Sequence, residues 1–197
     1  MKLGGSYANS PLLRSWLAAV EAVAGRVVLV PGGGPFADAV RAAQPVIGFD
    51  DEAADAMAML AMEQFGLALC SLGTKLVLAE SEGAIRAALE RGSVPVWAPL
   101  AMVRSEADLP RSWGVTSDSL ALWLARRLGA AALLLVKMQG AGRWNEIVDA
   151  YFPNLYETCL LPVFIAGADD LPATGFDPDR LPGARLIHDS CLNASCS

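Results

Sequence analysis

Short apolar runs with the composition of β-strands alternate along the chain with segments of helical periodicity. The runs that are apolar almost throughout are Val27 to Val30, Leu76 to Ala79, Val94 to Trp97, Ala131 to Val136 and Leu161 to Ala166. Strands of this kind are buried on both faces, which in an alternating chain requires helices on each side of a largely parallel sheet. We therefore predict an α/β fold, a three-layer sandwich with a mainly parallel central sheet between helices.

The helical segments have recognisable start and stop residues. Ser10 and Pro11 suit the N-cap and first position of a helix that ends before Gly25. The other predicted helices are Phe36 to Ala43, Asp50 to Phe65, Glu82 to Arg91, Ser117 to Leu128 and Asn145 to Tyr151. A last short strand is predicted over Ala184 to Ile187, so residues 1–187 are expected to form one domain and residues 188–197 a mobile tail.

Composition and charge narrow the class of protein. Of the 197 residues, 54% are hydrophobic and 18% are charged, which is typical of a globular chain and excludes a disordered or fibrous one. The formal net charge of −6 at pH 7 provides no basic field for a polyanion, so nucleic acid is not an expected partner.

The hydrophobic excess does not predict a membrane span. The longest apolar candidate, Leu120 to Val136, is interrupted by Arg126 and Arg127 and falls short of the ~20 apolar residues that a span needs. The first residues lack the apolar stretch of a signal peptide, and the 4 cysteines include no CxxC pair. A cytoplasmic protein with reduced thiols and no membrane partner is expected.

Two glycine clusters follow strand-like residues and precede helices. One is Gly4-Gly5-Ser6 and the other is Gly32-Gly33-Gly34. Glycines at such a junction let backbone N–H groups approach an anion, and the following helix adds the positive end of its dipole. Both clusters therefore predict phosphate cradles, although neither has the GxxxxGK[ST] sequence of a Walker loop. Tight turns without a ligand are the structural alternative.

Lysine is scarce, so the position of each lysine is informative. Lys2 abuts the first glycine pair, and Lys137 ends the apolar run of a predicted central strand. A compact ammonium group in either place suits a transferring phosphoryl group. A lysine that snorkels from a strand end is the alternative for Lys137. Lys75, at the start of its strand, is expected to be structural.

A run of small polar residues, Thr116 to Ser119, opens a predicted helix. Thr116 or Ser117 is predicted as the N-cap, and Asp118 in the first turn gains from the helix dipole. Capping would explain the whole run, so on these residues alone the structural and the functional interpretation both stay open.

The order of these motifs resembles the amino acid kinase superfamily, the carbamate kinase and uridylate kinase group. The similar features are a Lys-x-Gly-Gly-Ser start, a strand followed by Pro-Gly-Gly-Gly, a Thr-Ser-Asp-Ser helix start and a strand that ends in Val-Lys. Within the superfamily the chain is most similar to the small kinases of methanofuran and methylofuran biosynthesis. The resemblance implies an ATP-dependent kinase that converts an aminomethyl-furanmethanol phosphate, a small amine-bearing acceptor, to its diphosphate.

The resemblance also implies a role for each matching residue. Lys2 would neutralise the transferring phosphoryl group, Asp118 would organise the lysines and loops around it, and Lys137 would begin the nucleotide-binding strand end. The loop residues with implied ligand contacts are Gly4, Gly5 and Ser6 for phosphate and nucleotide, and Gly32, Gly33 and Gly34 for the acceptor. Mg²⁺ would arrive with ATP, and no metal site of the protein's own is implied.

Two departures from the family pattern support a different hypothesis. Only Met1 precedes Lys2, so the first strand is expected to be nearly absent and its lysine weakly anchored. After Lys137, Met138-Gln139-Gly140 replaces the Thr-Asp turn of many relatives, which indicates a reduced nucleotide site. The alternative is a non-catalytic member of the fold that acts as a binding protein or partner subunit.

Methionines recur on the predicted helix Asp50 to Phe65, at Met57, Met59 and Met62. Methionine at this spacing indicates packing rather than a ligand site. In the resembled superfamily a helix in this region meets a second subunit, so a homodimer or higher oligomer is expected.

Two other candidates carry weaker signals. The spacing of His188, Cys191 and Cys196 fits no usual zinc pattern, so no metal is assigned to them. Asp149 is a possible ligand for a substrate amine, but a single acid on a polar helix face is expected to be solvated.

Overall fold

A central sheet of mainly parallel strands runs through the protein, with helices on both faces. The computed structural model describes residues 1–106, 109–138, 144–172 and 176–187. The strands are β1 (Lys2–Leu3), β2 (Val30–Pro31), β3 (Leu76–Ala79), β4 (Val94–Trp97), β5 (Leu133–Val136), β6 (Val163–Ala166) and β7 (Ala184–Arg185). The helices are α1 (Leu13–Glu21), α2 (Gly34–Ile47), α3 (Asp51–Leu72), α4 (Glu82–Glu90), α5 (Leu100–Val103), α6 (Ser117–Leu128), α7 (Trp144–Ile147) and α8 (Phe152–Glu157), with 3₁₀ turns over Gly5–Asn9 and Ala168–Asp170.

Strand β1 lies inside the sheet although it has only two residues. The strand order is β2-β1-β5-β6-β7, in which β7 is antiparallel to β6 and the other pairs are parallel. The parallel pair β3-β4 extends the sheet beyond β2, because Leu29 N donates to Pro95 O (2.9 Å) and Trp97 N donates to Leu29 O (2.9 Å). The predicted class, an α/β fold with a mainly parallel central sheet, is confirmed.

The two faces of the sheet have separate hydrophobic cores. Val30 and Leu135 pack into the core that contains the apolar side chains of α6. Leu3 and Val136 pack into the core that contains α1. Successive strand residues point to opposite faces, so the position of a residue along its strand decides which core its side chain enters.

Several predicted elements have the bounds that the structure shows, namely β3, β4 and α6. Helix α3 begins as predicted, because Asp50 is its N-cap and accepts a hydrogen bond from Ala53 N (2.8 Å). It continues to Leu72 instead of ending at Phe65. Helix α2 is also longer than predicted and stops where Gly48 adopts a left-handed conformation with φ of 83°. Helix α1 and strands β2, β5, β6 and β7 are shorter than predicted.

The predicted helix Asn145 to Tyr151 is wrong. Helix α7 ends at Ile147 and α8 begins at Phe152. The chain turns between them because the Asp149 carboxylate accepts a hydrogen bond from Phe152 N (3.0 Å). Helix α8 and the four-residue helix α5 were not predicted from the sequence. The predicted tail, residues 188–197, lies outside the described residues.

Among the helices that the structure describes, α3 has the length and the apolar composition needed to cross a membrane. The core helix of a soluble protein passes the same test. Here α3 packs against α2 and against β2, β3 and β4, which accounts for its apolar inner positions. The longest apolar candidate in the sequence, Leu120 to Val136, is divided between α6 and β5.

The loops that follow β1 and β2 touch each other through their backbones. A Cβ atom on Gly32 would lie 2.3 Å from Gly5 N, and one on Gly5 would lie 2.3 Å from Gly34 N. These distances exclude a side chain at either position without movement of the backbone. Both loops therefore need glycine for steric reasons, independently of any ligand.

We predict that Gly32→Ala lowers the free energy of unfolding by about 1–3 kcal/mol or more, because the new methyl group forces the two loops apart. Urea unfolding measures this change. The control is Gly83→Ala in α4, where a Cβ meets nothing within 4 Å, and it should raise stability by roughly 0.5–1 kcal/mol. Equal stability of Gly32→Ala and the parent protein would contradict the close approach.

Candidate functional site

Two lysine side chains from neighbouring strands point to the same face of the sheet. Lys2 on β1 is in register with Val30 on β2 and Leu135 on β5. Lys137 follows β5 two residues after Leu135, and strand residues two apart share a face. Both lysines therefore face α6, at the carboxyl ends of the strands.

Helix α6 supplies the acid between these lysines. The helix leads into β5 through a short turn and runs antiparallel to it, so its first turn lies at the carboxyl ends of the strands. Asp118 Oδ1 is 2.7 Å from Lys2 Nζ, and Asp118 Oδ2 accepts a hydrogen bond from Lys137 Nζ. The side chains of Lys2 and Asp118 are only 5% and 4% exposed. We call Lys2, Asp118 and Lys137 the buried triad.

The buried triad has two ammonium groups for one carboxylate. Burial raises the pKa of Asp118, but the attraction of Lys2 and Lys137 outweighs burial and holds that pKa below its ordinary value. Burial and the repulsion of Lys2 lower the pKa of Lys137, against the attraction of Asp118. An excess of buried positive charge favours the binding of an anion.

The expectation that Lys2 is weakly anchored is wrong. Val30 N donates to Met1 O (2.8 Å) on one side of β1, and Gly4 N donates to Val136 O (3.0 Å) on the other. The buried Tyr7 side chain adds a link, because its hydroxyl donates to the carbonyl of Lys137 (3.1 Å). Two neighbouring strands hold β1, so two residues suffice to fix the lysine.

A cavity of about 280 Å³ is lined by Ser117, the chain neighbour of Asp118, but by none of the three triad residues themselves. The predicted loop residues that line it are Gly5, Ser6, Gly32, Gly33 and Gly34, while Gly4 pairs with β5 instead. Gly33 is the N-cap and Gly34 the first residue of the 14-residue helix α2. One wall of the cavity therefore includes backbone N–H groups at the positive end of a helix, a suitable surface for phosphate.

The remaining walls come from α2, α3 and the segment before α6. Trp113 is held in place from α2, because Gln44 Oε1 accepts a hydrogen bond from Trp113 Nε1 (2.6 Å) and the Arg41 guanidinium lies 4.5 Å from the Trp113 ring centroid. Asp55 and Met59 on α3 also line the cavity. The sequence does not predict that these residues form one group, because that depends on how three separate segments pack.

Asp149 fixes the start of helix α6, and the expectation that it is solvated is wrong. Its carboxylate accepts hydrogen bonds from Thr116 N (3.0 Å), Thr116 Oγ1 (2.9 Å) and Ser119 N (2.9 Å), and also from Ser119 Oγ and Phe152 N. Thr116 is the N-cap as predicted, but its hydroxyl donates to Asp149 and makes no cap hydrogen bond of its own. Asp149 thus positions the helix turn that carries Asp118.

The remaining sequence candidates are Lys75 and the group of His188, Cys191 and Cys196. His188, Cys191 and Cys196 lie outside the described residues. Within the part of the chain that the structure describes, no three His, Cys, Asp or Glu side chains are grouped so that they could hold a metal ion. Lys75 lies at the opposite end of its strand and donates to Glu21 O (3.4 Å).

Comparisons with known proteins agree with the fold. The model of the amino acid kinase family matches residues 1–139. Uridylate kinase from Archaeoglobus fulgidus superposes with a TM-score of 0.66 at 14% identity, over 95% of this chain and 97% of that chain. UMP kinase from Ureaplasma parvum has a TM-score of 0.65 at 18% identity, over 86% and 89%. An isopentenyl phosphate kinase has a TM-score of 0.57 at 17% identity, over 94% and 98%.

One sequence relative comes from Methanocaldococcus jannaschii. It is a (5-(aminomethyl)furan-3-yl)methyl phosphate kinase, 24% identical over 137 residues. The match covers 68% of this chain and 63% of the relative, so the chain spans less than two thirds of that protein's length.

We predict that Asp149→Asn destabilises the protein by about 1–3 kcal/mol, because an amide places N–H donors against the donors that the carboxylate satisfies. The matched control is Asp169→Asn, an exposed acid that should change stability by less than ~0.5 kcal/mol. Urea unfolding of both variants measures the difference. If the two variants are equally stable, Asp149 does not hold the start of α6.

Proposed function

The chain belongs to the amino acid kinase family, and from this we propose that it transfers the γ-phosphoryl group of ATP to a small acceptor. The main support is the buried triad with its excess positive charge, together with a cavity that is walled by glycines and by Ser117, the chain neighbour of Asp118. Phosphoryl transfer depends on positioning and on neutralisation of charge, and it needs no covalent intermediate with the protein. In this proposal the triad neutralises charge and the cavity positions the acceptor.

We propose (5-(aminomethyl)furan-3-yl)methyl phosphate as the acceptor. The support is the M. jannaschii relative, which is named as a kinase of this compound. The product would be the corresponding diphosphate, an intermediate of methanofuran or methylofuran synthesis. The match covers 63% of the relative, so the substrate and the pathway are proposed for this chain together with the activity.

The proposed reaction uses each part of the site. An oxygen of the acceptor phosphate forms a bond to the γ-phosphorus, the bond from that phosphorus to the β–γ bridging oxygen breaks, and ADP leaves. Gly33 and Gly34 at the start of α2 would hold the acceptor phosphate. Lys2 and Lys137 would stabilise the charge on the transferring group, and Asp118 would keep both ammonium groups in place.

ATP would bind across the carboxyl ends of β1 and β5, where Lys137 and the loop of Gly4 to Ser6 lie. The excess positive charge of the buried triad fits a polyphosphate. Mg²⁺ would come with the nucleotide and neutralise its phosphates further.

One of the two expectations that favoured the non-catalytic alternative is wrong. It depended on a weakly anchored Lys2, and Lys2 is buried and held between two strands. The other reason is the run Met138-Gln139-Gly140 after Lys137, and residues 139 and 140 lie outside the described part of the chain. The assay below separates the two functions.

We also propose that the protein is a homodimer that pairs through α3. Met57, Leu60 and Leu67 form an apolar stripe along this helix and are 37%, 43% and 56% exposed. Residues at this spacing share one helix face. Burial of the stripe against a second copy would remove it from water. The cytoplasmic location stays a prediction.

The kinase prediction is tested with ATP, Mg²⁺ and (5-(aminomethyl)furan-3-yl)methyl phosphate, with ADP release measured in a coupled assay. The parent protein should turn over, and Lys2→Met and Asp118→Asn should each lower kcat by about 10²–10³-fold, the loss typical of a group that stabilises transition-state charge. Lys75→Met, remote from the site, should keep full activity. A folded parent protein that binds ATP without turnover would support the non-catalytic alternative.

The dimer prediction is tested by light scattering at micromolar concentration. The parent protein should have twice the mass of one chain, and Leu60→Glu should be monomeric, because a charged group on the stripe opposes burial. The control is Leu160→Glu, at a side chain that is 100% exposed and lies outside α3. A monomeric parent protein, or a Leu60→Glu dimer, would show that α3 is not the interface.

A further inference from the structure

The two ends of the cavity differ in chemistry. At one end are Gly33 and Gly34, which begin α2 and therefore lie at the positive end of its dipole. The carboxylates that line the cavity, among the described residues, are Asp38 and Asp55. The glycine end suits a phosphate, and a carboxylate suits a cation.

Asp38 and Asp55 are not equivalent. Asp38 is 75% exposed and its Oδ1 is paired with Arg41 at 3.0 Å. The Asp55 side chain is only 11% exposed, and its ion pair with Arg111 Nη1 is long at 4.0 Å. Asp55 is therefore a largely buried carboxylate whose charge the protein compensates poorly.

The raised pKa of Asp55 agrees with the poor compensation of its charge. Burial raises the pKa of Asp55, and the attraction of Arg111 does not offset burial and the nearby charge of Glu52. A cation in the cavity would stabilise the ionised carboxylate more effectively than the distant guanidinium does.

Helix α3 runs along the cavity, so the position of a residue on this helix shows which end of the cavity the residue lines. Asp55, Met59 and Met62 line the cavity at spacings of four and three residues, which is one face of the helix. Phe65, one turn beyond Met62, lies 3.7 Å from where a Cβ of Gly34 would be. Asp55 is thus at the far end from the glycine loops, and about 10 Å of helix separates it from Met62.

Between these ends the cavity wall is apolar and partly aromatic. Met59, Met62, Val115 and Leu120 contribute apolar surface, and Trp113 contributes a ring that Gln44 and Arg41 hold in place. Such a space suits a flat, uncharged ring between two charged arms.

We propose that Asp55 binds the ammonium group of the acceptor and is the residue that selects an amine-bearing phosphate over a neutral one. The inference rests on the proposed function, because it assumes that the acceptor phosphate occupies the glycine end. Asp55 would be a specificity residue and would not touch the transferring phosphoryl group.

The test compares two acceptors by calorimetry without nucleotide: (5-(aminomethyl)furan-3-yl)methyl phosphate and its analogue (5-methylfuran-3-yl)methyl phosphate, which lacks the amine. The parent protein should bind the amine acceptor roughly 10–100-fold more tightly, as expected for a charge-assisted hydrogen bond in a partly buried site. Asp55→Asn should bind both acceptors with similar affinity. Glu52→Gln, which removes a charge one turn earlier on α3, should keep the preference.

Steady-state kinetics provide a second measurement. In Asp55→Asn the KM for the amine acceptor should rise roughly 10–100-fold while kcat changes little, because the lost contact is remote from the reacting phosphorus. Melting curves check that the variant is folded. Equal affinity of the parent protein for the two acceptors, binding of neither acceptor, or a preference that persists in Asp55→Asn would overturn the role of Asp55.

The two proposals fail in different ways. Selective binding of the amine acceptor without ADP release would refute the kinase activity and support Asp55 as the ammonium site. Turnover of both acceptors with equal KM would support the kinase activity and refute the selection by Asp55.

Discussion

The arrangement of this protein depends on a buried charge imbalance, two ammonium groups held by one carboxylate. Lys2 and Lys137 would repel each other at the end of the sheet without Asp118 between them. The aspartate pairs with both ammonium groups but carries only one negative charge, so the triad keeps one net positive charge. That remainder has a cost to stability in the absence of a ligand, and a phosphate group would compensate it. Stability and anion binding are therefore linked at the same three residues.

Neighbouring segments hold the triad in place at each of its corners. Strand β1 is fixed between β2 and β5, the Tyr7 hydroxyl holds the carbonyl of Lys137, and Asp149 holds the turn that carries Asp118. Asp149 belongs to the segment between β5 and β6, so the half of the sheet proposed to bind nucleotide also positions the central acid. The two glycine loops approach so closely that neither Gly5 nor Gly32 tolerates a side chain. Positioning of this kind is what phosphoryl transfer requires of a protein.

Helix α3 contributes to three different surfaces. Its inner positions pack against the strands, Asp55 and Met59 face the cavity, and Leu60 and Leu67 are exposed. These demands make the helix apolar on nearly every side, which explains why its composition resembles that of a membrane span. In our proposals the same helix contacts the acceptor and a second subunit, so changes at the interface would reach the acceptor cavity through one rigid element.

The α/β class and the bounds of α6, β3 and β4 could be read from local periodicity and strand burial. The scarcity of lysine pointed to Lys2 and Lys137, and the order of motifs that resembles the amino acid kinase superfamily pointed to Asp118. Alternation along β5 even makes Lys137 share a face with Leu135. Three features needed the folded chain: the firm anchoring of Lys2, the capping of α6 by Asp149 about 30 residues later, and the place of Asp55 in the cavity wall. Those contacts join segments far apart in the chain, and no local pattern of hydrophobic and polar residues encodes them.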